Sequence, residues 1–131
     1  MKEFPYDDKT FLLPGPAGKL EVMTTWARKS HGYVAIICHP HPLQEGTMHN
    51  KVVTTLAKTF AQLGVATVRF NYRGVGESEG SYGNMQGEIE DLLAVKAWLR
   101  KCLDETLFIL AGFSFGSSRM SPTRFNAMRV C

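Results

Sequence analysis

Three nearly continuous apolar runs constrain this chain most: Tyr33-Val34-Ala35-Ile36-Ile37-Cys38, Val65-Ala66-Thr67-Val68-Arg69-Phe70 and Leu107-Phe108-Ile109-Leu110-Ala111. A strand with one face in water alternates apolar and polar residues, whereas a strand buried on both faces has no position to spare for polar side chains. These runs therefore predict inner strands of a parallel sheet. Between the first two, Val52, Val53, Leu56, Ala57 and Phe60 recur at spacings of one, three and four and stop at Gly64, the pattern of a helix with one apolar face. Between the second and third, Ile89, Leu92, Leu93, Val95 and Leu99 predict a second helix. Its first turns carry Glu88, Glu90 and Asp91 and its end carries Lys96, Arg100 and Lys101, the polarity that a helix dipole favours. The order strand, helix, strand, helix, strand implies right-handed crossovers, hence an α/β fold with a mostly parallel sheet and helices on both faces.

Ahead of this unit, Phe11-Leu12-Leu13 and Leu20-Glu21-Val22-Met23-Thr24-Thr25-Trp26 flank Pro14-Gly15-Pro16-Ala17-Gly18. Alternation in the second run and the Pro/Gly cluster between them predict an antiparallel hairpin. With 131 residues, 44% hydrophobic and 21% charged, the chain is in the range of one globular domain. No signal-peptide pattern opens it and no eighteen-residue apolar run occurs, so the expected location is the cytoplasm, with no membrane partner. Cys38, Cys102 and Cys131 lack the spacing of a disulfide framework or zinc knuckle. The net charge of +3 comes entirely from Arg119, Arg124 and Arg129, because the residues before them hold equal numbers of acids and bases. A neutral body without a basic, aromatic-rich stripe excludes a nucleic-acid partner.

Chemistry concentrates where the third run ends, at Gly112-Phe113-Ser114-Phe115-Gly116. A sharp strand-to-helix turn crowds the residues around its apex, and glycines two positions either side relieve that crowding while the serine hydroxyl stands above the sheet. As a bare string G-x-S-x-G is common and often only a Gly/Ser turn. After two strand-helix units and a buried strand, it reads as a nucleophile elbow with Ser114 at its tip. Two other readings weigh less. His39, His41 and His49 have no acidic or thiolate companion at ligand spacing, so no metal is expected. Gly74-Val75-Gly76-Glu77-Ser78-Glu79-Gly80 does not open a helix at once, and its glutamates would repel a pyrophosphate, so neither a nucleotide nor any other cofactor is expected. Asn71 and Arg73 are expected to fix that loop by hydrogen bonds.

Taken together, Cys38-His39-Pro40-His41-Pro42-Leu43, the stretch from Arg69 to Gly80, and Ala111 to Gly116 resemble the α/β-hydrolase superfamily, and within it small serine hydrolases similar to dienelactone hydrolase. The likeness runs from about Gly18 to Gly116, with the three apolar runs as the third, fourth and fifth strands of that fold. It implies hydrolysis of carboxylic esters or related acyl compounds, with a small-molecule acyl substrate. Ser114 would be the nucleophile and the Phe115 amide one oxyanion donor. The second donor would be Leu43, because Pro40 and Pro42 have no amide hydrogen. His39 and His41 would line the substrate mouth. Where small hydrolases of this type often carry paired glycines, this chain has Glu45-Gly46.

The family's order of catalytic residues is Ser, then Asp or Glu, then His. Here His31, His39, His41 and His49 all precede Ser114, and no acid follows Glu105. The chain is thus expected to be inactive alone, as the N-terminal part of a hydrolase domain (residues 1–116) or a non-catalytic, partner-binding remnant. Residues 117–131 lack an amphipathic face and include Pro122, which breaks a helix, so a disordered or frameshifted tail is expected there. A strand at Leu107–Ala111 without later neighbours would leave an open sheet edge and promote self-association.

Overall fold

A computed structural model describes residues 8–25, 33–39, 46–84, 86–103, 107–112 and 127–130. Six strands, β1 (Lys9–Gly15), β2 (Gly18–Thr25), β3 (Tyr33–Cys38), β4 (Ala66–Phe70), β5 (Leu107–Gly112) and β6 (Ala127–Val130), form one sheet in the order β1-β2-β4-β3-β5-β6. Helices α1 (Lys51–Gln62) and α2 (Gln86–Cys102) are the crossovers. The β1–β2 hairpin turns on Pro16 and Ala17 and joins the sheet through antiparallel pairing of β2 with β4. Across the rest of the sheet, β4 with β3, β3 with β5 and β5 with β6, the pairing is parallel. No helix among the described residues is long and apolar enough to cross a membrane.

The two-sided burial follows directly from strand alternation. Val34, Ile36 and Cys38 of β3, with Val68 and Phe70 of β4 and Phe108 and Leu110 of β5, pack on Leu92, Val95, Trp98 and Leu99 of α2. Ile37 and Ala111 face the other way, onto Val53 and Ala57 of α1, while Ala35 and Ile109 cluster with Val65 and the partly buried Phe60. Each parallel strand thus spends successive residues on opposite helices, which is why no polar alternation marks it. Phe11 of β1 extends the α2 side, its ring 5.3 Å from that of Trp98.

Helix ends are set by side chains. Asn50 caps α1, its Oδ1 accepting from the Val52 amide at 2.9 Å. At the other end the Val65 amide turns back onto the Phe60 carbonyl at 2.8 Å, beside Gly64. In α2 the acidic first turns do more than oppose a dipole. Glu88 and Asp91 are fully buried and accept hydrogen bonds from the loop before the helix, Glu88 from the Gly83 amide at 2.9 Å and Asp91 from the Arg73 amide at 2.9 Å.

At the far edge, Ala127–Val130 run parallel to β5, with Phe108 opposite Ala127 and Ala111 opposite Val130. Within residues 117–131, where the sequence suggests no regular element, these four are described as a strand, which makes β6 the outer strand on this side of the sheet. Four residues are too few for periodicity to reveal. Residues 113–126 lie outside the described part of the chain, so the strand-to-helix turn expected at Ser114 does too.

Candidate functional site

In a parallel sheet all carboxyl ends lie on one side, and loops leaving them can meet. Strands β3, β4 and β5 end at Cys38, Phe70 and Gly112, with Cys38 paired directly to Gly112. Each of these strands leads into a chemistry-bearing segment: β3 into His39, β4 into Asn71-Tyr72-Arg73, and β5 into Phe113-Ser114. The register therefore brings the carboxyl ends of the three strands, with His39 and Asn71-Tyr72-Arg73, to one end of the sheet. Ser114, Phe115, Leu43 and His41 themselves lie outside the described residues; His39 lies within them.

His39 is fully buried. Its Nε2 accepts the Tyr72 amide proton at 3.1 Å, and its ring meets the Tyr72 ring edge-on with centroids 4.5 Å apart. A nitrogen that accepts this bond carries no proton, so the imidazole is neutral with its hydrogen on Nδ1. His39 stands at the carboxyl end of β3, as the sequence places it, with its ring turned into the protein and its Nε2 committed. It braces the ends of β3 and β4 together.

Beneath it, burial pushes the Cys38 thiol up to about 12, against a smaller opposing effect of its hydrogen bond with Tyr72. Only the thiolate reacts with alkylating agents. In the folded chain at pH 8, iodoacetamide is therefore expected to modify the half-buried Cys102 at least tenfold faster than Cys38, read by peptide mass spectrometry; equal rates would contradict the burial. The same shift carries a stability consequence. Between the thiol's ordinary value of 9.0 and about 12, the unfolded chain releases a proton that the folded chain retains, so stability falls as pH rises through that window.

The loop after β4 is held at nearly every residue. Arg73 binds Asp91 through its backbone amide and through Nη2, both at 2.9 Å, with Glu90 3.6 Å from the same Nη2. Asp91 raises the affinity of the Arg73 guanidinium for its proton, chiefly by hydrogen bonding. The guanidinium lies over Gly87, where a Cβ would stand 2.6 Å from Cζ. On the other side Glu21 of β2 accepts from Asn71 Nδ2 at 2.8 Å and from the Glu77 amide at 2.9 Å. Ser78 Oγ accepts from the Glu21 amide at 2.8 Å and donates to the Asn71 carbonyl at 2.7 Å. Gly76, at φ +55°, lies against Asn71 and Glu21 where a side chain would collide with both. Asn71 and Arg73 thus fix the loop as their sequence context predicts.

This loop does not offer a phosphate cradle. The amides of Gly74, Val75, Glu77, Ser78 and Glu79 are all donating within the protein, and α2 begins only at Gln86. Among the described residues no group of three or more His, Cys, Asp or Glu is placed to hold a metal ion. Sequence reasoning missed Glu21, Ser78 and the buried pair Glu88 and Asp91. Their side chains act on backbone or partners elsewhere in the chain, and the only local signal was an acidic first turn in α2.

The comparisons agree with this architecture. The family model described as X-Pro dipeptidyl-peptidase (S15 family) matches residues 19–121. A solved α/β serine hydrolase homologue from Coxiella burnetii is 52% identical, with a TM-score of 0.83, over 88% of this chain and 56% of its own. A Xanthomonas campestris α/β serine hydrolase without a lid is 41% identical, with a TM-score of 0.84, over 88% of this chain and 55% of its own. An uncharacterised protein of Rickettsia prowazekii is 38% identical over 79% of this chain and 44% of its own length. The chain thus spans about half the length of these relatives. Strand order, the likeness to these solved hydrolases and the matched span lead to one assignment: the chain belongs to the X-Pro dipeptidyl-peptidase (S15) family of α/β serine hydrolases.

Proposed function

We propose that Ser114 is the nucleophile of a site that hydrolyses carboxylic esters or related acyl compounds, and that the 131 residues do not turn over such substrates alone. The observation that carries the first part is the ending of β5 at Gly112, level with Cys38, two residues before Ser114. In the reaction, Ser114 Oγ bonds to the acyl carbon as its proton passes to a base. The Phe115 and Leu43 amides hold the carbonyl oxygen as it becomes negative. The alcohol then leaves with that proton, and water releases the acid from the acyl-serine. The family model's description names a peptidase, and amides pass through the same acyl-serine. An open, lidless mouth, as in the Xanthomonas relative, suits small acyl substrates.

The second part of the proposal rests on the base. His39 Nε2 is occupied, and the acid and histidine of the family order would come from residues this sequence does not contain. General-base assistance contributes about a hundredfold to ten-thousandfold in rate. With p-nitrophenyl acetate, the chain and its Ser114→Ala variant are expected to match the uncatalysed rate. Turnover by the chain that disappears in the variant would overturn the inactive reading. Free thiols at Cys38 and Cys102 suit the cytoplasm. The alternative, a remnant that associates through a sheet edge, draws support from β6, a four-residue outer strand.

A further inference from the structure

Ala94, Ala97, Trp98, Lys101 and Cys102 follow one another at spacings of three and four or one, so they share one face of α2 over its later turns. That face turns toward β1, where the Phe11 ring meets Trp98 with centroids 5.3 Å apart. Ala94 and Ala97 are too short to close the space beside this contact. With Leu13 and Pro14 of β1 they border a cavity of about 510 Å³ that extends to Lys101 and Cys102. Sites for small molecules are typically roughly 300–1,000 Å³, mostly apolar, with a few polar groups that orient the ligand. In the sheet, β2 and β4 stand between β1 and β3, which separates this cavity from the strand ends where ester hydrolysis is proposed.

We infer that the cavity binds a monocarboxylate with an apolar tail, the tail lying along Ala94, Ala97 and Trp98 against β1 and the carboxylate meeting Lys101. The charge of the surroundings favours an anion. From Leu92 to Leu103 the chain carries Lys96, Arg100 and Lys101 and no acid. Burial and, after it, the nearby Arg100 both weaken the hold of Lys96 on its proton, as expected where positive charge is in excess. Lys101 is exposed, and among the described residues no carboxylate lies within ion-pair distance of it. Apolar walls with one cation at an end fit an amphiphile with one anionic head. A dicarboxylate would place its second charge against walls that cannot solvate it. Burial of the tail supplies most of the affinity, since an ion pair open to water adds little; the lysine selects acid over alcohol. The inference is independent of the hydrolase reading.

Cys102 lines the same cavity, so its alkylation reports whether the cavity is filled. The test treats the 131-residue chain with iodoacetamide at pH 8 in the presence of decanoate, decanol or acetate, below micelle-forming concentrations, and reads both thiols by peptide mass spectrometry. Saturating decanoate is expected to slow Cys102 at least fivefold and to leave Cys38 unchanged, whereas acetate, which has the head without the tail, has no effect. Decanol is expected to need at least a threefold higher concentration for half-maximal protection. Lys101→Glu should raise the half-maximal concentration of decanoate about tenfold and leave that of decanol unchanged. Ala97→Phe, a change at an exposed position, fills the cavity and should make the Cys102 rate insensitive to decanoate. Failure of decanoate to slow Cys102 overturns the inference. So does equal protection by decanoate and decanol that Lys101→Glu does not alter, which describes an unselective apolar surface. A rise in Cys38 alkylation with decanoate overturns it too, because that reports a loosened fold and not a filled cavity.

Discussion

In a chimera joining residues 1–116 of this chain to the part of the Coxiella homologue beyond its matched segment, Ser114→Ala should lower kcat/KM for p-nitrophenyl acetate about a thousandfold or more. The junction is physically reasonable, because the relative is 52% identical over the matched part and follows the same backbone. Removing a nucleophile eliminates the acyl-serine route altogether, leaving only what binding and oxyanion donors do for direct attack by water. The parent chimera should turn over the ester. A folded, cooperative chimera with no activity would sink the assignment of Ser114, as would activity that survives the substitution.

Arg73→Ala is expected to destabilise the chain by about 3–5 kcal/mol, a large share of the roughly 5–15 kcal/mol that keeps a domain folded. Asp91 has no exposed surface and Arg73 little, so removing the guanidinium strands a buried carboxylate. The backbone amide of Arg73 still reaches Asp91, which places the loss nearer the lower figure. Arg73→Lys should recover only part of it, since an ammonium cannot reproduce the forked contact with both Asp91 oxygens. Urea titration at pH 7 provides the measurement. A loss below about 1 kcal/mol would show that the pair is open to water and worth no more than a surface ion pair.

The parallel core was readable because burial on two faces leaves a compositional mark, and β3, β4 and β5 appear within a residue of their apolar runs. The hairpin was readable in kind, though its strands run further into Lys9, Thr10 and Gly15 than apolar content shows. Those residues pair through backbone, with little side-chain burial. In α2 the first turn begins at Gln86 and Gly87, ahead of the apolar stripe, because Gly87 is needed beneath Arg73. β6 could not be read: its four residues give no period, and its place is fixed by backbone pairing with β5. At His39, the one expected site residue among those described, position was legible and side-chain direction was not. His39 is found at the strand end the sequence indicates, but whether its ring turns out or in depends on the Tyr72 amide, a donor supplied from the end of another strand.

The sheet order also governs how the chain acquires its structure. Among the described strands only β1 and β2 pair across a tight turn; β3 meets β4 across α1, and β2 meets β4 across the whole of β3 and α1. On its other side β3 waits for β5, which lies beyond β4 and α2 in the chain. Local contacts form first and distant ones wait for loop closure, so the hairpin should be the earliest element and the centre of the sheet the latest. During synthesis at about 5–20 residues per second, Tyr33 emerges on the order of ten seconds before its partner Leu107. For that interval an almost wholly apolar strand has one side unpaired. Until β5 has been made, that unpaired apolar strand is where a nascent chain of this sequence is most exposed to aggregation.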